Sequence, residues 1–79
     1  MPNNYNYQDR ILNHVRKNEI RVTVYLVSGY QLSGYVEGFD NFTIILRDEG
    51  KNKLIFKHAI STIEPSRSIE EAMPGEEES

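Results

Sequence analysis

The side chains in this sequence able to act as near-neutral proton donors and acceptors are His14 and His58. A hydrolase built on them needs both held against one substrate. The sequence puts His14 in a helical stretch and His58 at a break between two distant strands. There is no cysteine, which removes disulfides and thiolate metal sites. No His, Asp and Glu cluster has metal-ligand spacing. Neither an enzyme nor a cofactor is expected. What remains is a set of aromatics and cations: Tyr25, Tyr30, Phe42, the pair Arg16-Lys17 and the pair Lys57-His58. Residue type leaves their role open. Lone aromatics and histidines are usually structural, exposed tyrosines are ordinary on strands, and a charge pair on a helix is commonly a solvated face.

These residues must be positioned by short elements. Asn6 followed by Asp9 resembles a capping box. Ile11, Leu12 and Val15 then share one helical face, which predicts a helix over about 7–18. Beyond it the period becomes two. Ile20, Val22, Val24 and Leu26 alternate with polar residues and valine, and Ser28-Gly29-Tyr30 is a turn. A second strand puts Leu32, Gly34, Val36 and Gly38 on one side, with Ser33, Tyr35, Glu37 and Phe39 on the other. Asp40-Asn41 turns into a third strand, Phe42 to Arg47, closed by Asp48-Glu49-Gly50. Two short strands follow, Leu54 to Lys57 and Ala59 to Ile63, broken at His58. The prediction is a mostly β domain with one N-terminal α-helix and five strands over about 20–64. Mid-strand Gly34 and Gly38 imply a strongly bent antiparallel sheet, a small open barrel.

At 79 residues the chain holds one domain. Domains of this size usually need a disulfide, a metal or a partner subunit. With no cysteine, self-association is the route left, and two short strands apolar on both faces invite pairing with another chain. The domain is expected over 7–65, after a flexible arm at 1–6 and before a disordered acidic tail at 66–79. From Glu64 onward there are six acidic residues and one basic, a formal −5. The body before it has eight basic and six acidic residues, a formal +2 that several assembled copies would multiply. The N-terminus is polar, without a secretory signal. The longest aliphatic run, Ile44-Ile45-Leu46, is far below the ~20 residues of a membrane helix. A cytoplasmic protein without membrane contact is expected.

Two segments resemble a known family. Leu32-Ser33-Gly34-Tyr35-Val36-Glu37-Gly38-Phe39-Asp40-Asn41-Phe42 resembles the first Sm motif. Phe56-Lys57-His58-Ala59-Ile60-Ser61-Thr62 resembles the signature of the bacterial Sm-like branch, the Hfq family. Gln8-Asp9 and Val24-Tyr25-Leu26-Val27 match the same branch, so the resemblance spans about 7–65. It implies an Sm-like homohexameric ring in which the fourth strand of one subunit pairs with the fifth of the next. It also implies an RNA chaperone that binds small regulatory RNAs and messenger RNAs and promotes their base pairing in post-transcriptional regulation.

The resemblance also implies three surfaces. A proximal, pore-side site for U-rich RNA matches Gln8, Asn41, Phe42, Lys57 and His58. There Phe42 would stack a base, Gln8 and Lys57 would donate to its edge, and His58 would reach ribose or phosphate. A distal site for A-rich RNA matches Tyr25, Leu26, Ser28, Gly29, Tyr30, Gln31, Leu32, Ser33 and Thr62, with Tyr25 and Tyr30 stacking purines. A rim matches Asn13, Arg16, Lys17 and Phe39, its cations placed for a phosphate backbone. The sequence departs from the family pattern at four positions. Gln31 stands where a cation is often found, Ser33 where a glutamine reads adenine, Phe56 where a tyrosine is common, and Glu19 where relatives add a cation. Glu19 is expected to offset part of the field of Arg16 and Lys17, unless Arg21 points to the same rim. Two competing classes remain: a protein-interaction ring on the same fold without RNA, and a ribonuclease.

Overall fold

The computed structural model describes residues 7–69. The expected cap at Asn6, the arm before it and the tail from Glu70 lie outside the described residues. Helix α1 spans Tyr7–Lys17 and buries Leu12 and Val15, the face its apolar spacing predicts. It ends in a Schellman motif: the amide of Ile20 donates to the Val15 carbonyl at 3.0 Å, and that of Glu19 to the Arg16 carbonyl at 3.4 Å. The left-handed position in this motif, usually glycine, is Glu19, with φ 52°. Ile20 follows it into the core beside Val15.

Five strands follow: β1 Val22–Leu26, β2 Gln31–Phe39, β3 Thr43–Asp48, β4 Lys51–Phe56 and β5 Ile60–Pro65. They form one antiparallel sheet in the order β4-β3-β2-β1-β5, and α1 packs against β2. The break expected at His58 is a single 3-10 turn, Lys57–Ala59. β4 begins three residues earlier than its apolar run suggests. Glu49 and Gly50, with φ 55° and 80°, make a two-residue hairpin that fixes pairing from Asp48↔Lys51 onward. The core is Leu12, Val15, Ile20, Val22, Val24, Val36, Ile44, Leu46 and Ile55.

The two mid-strand glycines differ. At Gly34 an added Cβ would lie 2.4 Å from the Arg47 carbonyl oxygen, so β2 and β3 approach there only without a side chain. At Gly38 the same atom would meet open space. What happens near Gly38 is a bulge: pairing slips between Val36 and Gly38, leaving Glu37 as the extra residue. The slip reverses the parity of the strand end. Phe39, expected on the outer side, pairs with buried Ile44 and packs against the core.

Residues assigned to the tail still touch the body. The Ser66 amide donates to the Arg21 carbonyl at 2.8 Å. Arg67 donates to the Asn18 carbonyl at 3.4 Å, capping the end of α1. Ile69 packs on the core. These contacts hold residues 66–69 against the body, and composition averaged over the tail conceals them.

Candidate nucleic-acid interface

Sheet register builds the first surface. On the outer face of β2-β1-β5, Gln31 pairs with Tyr25 and Tyr25 with Thr62. The adjacent row is Ser33, Thr23 and Glu64. The hydroxyls of Thr23 and Ser33 lie 3.2 Å apart. The Tyr25 hydroxyl donates to the Glu64 carboxylate at 2.9 Å. That bond, with the adjacent negative charge, raises the phenol above its ordinary value, so it remains a donor. Ser61 donates to the Tyr25 carbonyl at 3.2 Å, where the β1-β5 register shifts between Tyr25 and Leu26. The turn carries Ser28, Gly29 and Tyr30. Gly29 takes φ 98°, and Tyr30, 66% exposed, presents its ring to solvent. Leu26 and Leu32 turn inward and pack on the core. Thr23 and Glu64 were missed from sequence. Their cross-strand position is the signal, and it appears only once β1 and β5 are aligned.

The second surface is built from a loop and the 3-10 turn. Asp40 arranges the loop: its Oδ1 accepts from the Phe42 amide at 2.9 Å, the Thr43 amide at 2.8 Å and the Thr43 hydroxyl at 2.8 Å. The bond from Phe42 comes first among the causes that hold this carboxyl below its ordinary value. Phe42 is thereby projected outward, 74% exposed, which rules out a core role. Asn41 beside it is also exposed. The Lys57 amide donates to the Phe42 carbonyl at 2.8 Å and joins loop to turn. Lys57 lies with its ammonium 5.6 Å from the Phe39 ring centroid. It lines a 310 Å³ cleft with Gln8, Ile11, Leu12 and residues of β5. His58 is exposed and stacks on Phe56, centroids 5.8 Å apart. One chain therefore brings together Gln8 and Lys57, and Phe42 and Lys57, but turns His58 toward Phe56.

On α1, Asn13 and Lys17 line a polar hollow with Arg10, His14 and Asn18. Arg16 donates to Asn13 Oδ1. Phe39 does not line this hollow and sits under Lys57 instead. Glu19 does not lean back on Arg16 and Lys17. Its carboxylate meets Arg47 at 3.3 Å, and Glu37 holds the same guanidinium from the other side. Arg21 turns away too, 3.9 Å from Asp48 and over the Tyr35 ring. Among the described residues, no group of three or more His, Cys, Asp or Glu could hold a metal, and no helix is long and apolar enough to cross a membrane.

Residues 7–70 match the profile of the family described as Hfq protein. The chain belongs to the Hfq family. The RNA-binding protein Hfq of Alkaliphilus metalliredigens (strain QYMF) is 62% identical over 69 residues, 87% of this chain and 86% of that protein. The RNA-binding protein Hfq of Geobacillus kaustophilus (strain HTA426) is 56% identical over 69 residues, 87% of this chain and 92% of its own. A crystal structure of the pleiotropic translational regulator Hfq superimposes with TM-score 0.72 at 41% identity, covering 75% of this chain and 98% of that one. An Hfq protein from Anabaena sp. gives 0.69 at 27%, covering 75% and 95%. The helix and bent five-stranded antiparallel sheet are thus the Hfq fold, as the Sm-like motifs led one to expect.

Proposed function

We propose that this protein is a non-enzymatic RNA chaperone that holds single-stranded RNA on two faces of a homohexameric ring. The observation that carries the reading is Phe42, a large aromatic held out in solvent next to Lys57 by a loop in which its own amide and the amide and hydroxyl of Thr43 donate to Asp40. An exposed ring costs apolar hydration and gains little for folding, so its use lies with a ligand. Base stacking beside a cation is the chemistry it suits. The proximal set, Gln8, Asn41, Phe42, Lys57 and His58, takes U-rich RNA. The distal set around Tyr25, Tyr30, Gln31 and Thr62 takes A-rich RNA. Asn13, Arg16 and Lys17 lend the rim its positive charge.

The ring is supported by topology. β4 and β5 are the two sheet edges, so each offers unpaired backbone groups. Leu54 and Phe56 on β4 are exposed. Head-to-tail pairing of β4 with the β5 of a second copy, repeated around a closed ring, would cover both edges of every subunit. Small regulatory RNAs and messenger RNAs are the ligands such a two-faced ring would bring together in the cytoplasm. The test is native mass with and without short U-rich and A-rich RNAs. A particle of six subunits that binds both is expected; a monomer at micromolar concentration, or a ring that binds neither, overturns the reading.

A further inference from the structure

On the distal strip, the carboxylate of Glu64 sits at the far edge of the Tyr25 ring, one oxygen accepting the phenol proton at 2.9 Å. Glu64 is exposed and Tyr25 half-buried, so the carboxylate faces the solvent in which a stacked base would lie. An ionised carboxylate only accepts hydrogen bonds. On a surface meant for phosphates it is an unfavourable neighbour, and strand pairing would be served equally by a neutral β-branched residue. Its position asks for a donor from the ligand. We propose that Glu64 reads the exocyclic amine of a purine stacked on Tyr25. This rests on the distal face binding A-rich RNA, and it names the group that sets base choice there.

The geometry gives Glu64 two tasks that separate by experiment. One oxygen fixes the plane of the Tyr25 ring through its hydroxyl. The carboxylate then offers its remaining lone pairs beyond the edge of that ring, where the polar edge of an offset-stacked base projects. A purine with an amine at C6 donates to it. A purine with only C–H at that position leaves an acceptor facing no donor and gains nothing. Ser33 lies in the same row, so where relatives place an amide reader, this chain has a short hydroxyl bonded to Thr23 and, across Thr23, the carboxylate that holds Tyr25.

The experiment compares oligoadenylate with the same-length oligomer of purine riboside, which lacks the amine, on the full-length protein. Wild type should prefer oligoadenylate by about tenfold or more, the scale of one hydrogen bond to a charged group. Glu64→Val should bring the ratio close to one, and Glu64→Gln, which keeps an acceptor, should leave it between. U-rich RNA bound on the opposite face reports an intact ring and should be unaffected. A ratio unchanged in Glu64→Val overturns the proposal. So does an equal loss for both oligomers, which would make Glu64 only a prop for Tyr25. So does an equal, salt-dependent gain for both, which would make it only a repulsive charge. A wild type that binds neither oligomer removes the distal-face reading itself, a result distinct from the other three.

Discussion

The two candidate binding faces are made in different ways. The distal strip is a product of strand register: Gln31, Tyr25 and Thr62 are opposite one another because β2, β1 and β5 pair as they do. Its geometry is inherited from the core, since Val22 and Val24 on the other side of β1 are buried. The proximal group is a product of local side-chain chemistry. Asp40 shapes the loop, and Gln8, Phe42, Lys57 and His58 come from a helix, a loop and a turn. A surface built on register should resist local change and fail when the sheet fails. A surface built on one carboxylate should fail alone.

The sharpest test exchanges the two stacking rings. Tyr25→Ala should weaken A-rich RNA and spare U-rich RNA, and Phe42→Ala should do the reverse, each by ~1–3 kcal/mol per base stacked. Titrating both variants with both RNAs measures this. If both lose the same ligand equally, the division into faces is wrong. Next in size is Gly34→Ala, which drives a methyl into the Arg47 carbonyl. Overpacking of this kind costs about 1–3 kcal/mol, and a urea melt should show it. A-rich binding should fall with the folded fraction, while Gly38→Ala should change stability little.

Asp40→Ala should lower U-rich binding by loosening the Phe42 loop and leave A-rich binding intact, while Asp40→Asn retains an acceptor and much of the affinity. The pH dependence has a definite sign. The folded carboxyl titrates below its ordinary value, so its contribution is complete above that value and is lost as pH falls through the lower, folded one. U-rich binding should therefore hold across neutral and mildly acidic pH, and the loop should loosen only in strong acid. NMR of the Phe42 and Thr43 amides would follow it. The smallest effect is Glu19→Gly. Relief of a left-handed glutamate gains about 1 kcal/mol, offset in part by loss of the solvent-screened pair with Arg47. Thermal melting should show a rise of a few degrees or none.

Much of the fold was legible because two periods change cleanly at Ile20. Leu12 and Val15 lie on the predicted helix face, and Val22, Val24, Ile44 and Leu46 point inward on their strands. Three features were not legible, each for a physical reason. β4 starts at Lys51, where Lys51-Asn52-Lys53 has no apolar alternation; the hairpin geometry decides it. The bulge at Glu37 inverts Phe39, and alternation cannot register an inserted residue. The contacts of Ser66, Arg67 and Ile69 fall in a stretch whose composition reads as solvated. Among the candidate residues, Phe42 and Lys57 stood out through their motif. Asp40 holds the loop amides of Phe42 and Thr43, Thr23 meets Ser33 and Glu64 meets Tyr25 across the sheet, and a linear pattern carries no trace of these pairings.

The placement of β4 and β5 at opposite edges of one sheet has a consequence for mixed populations. The proposed ring closes by joining two unlike surfaces, so each subunit is a link with a distinct head and tail. A copy with a spoiled β4 edge and an intact β5 edge still adds to one end of a growing arc, and nothing can add after it. Such a copy is a chain terminator. If closure needs six good links, a one-in-six share of terminators is enough to leave most arcs open, so one defective allele would silence much of the product of a good one.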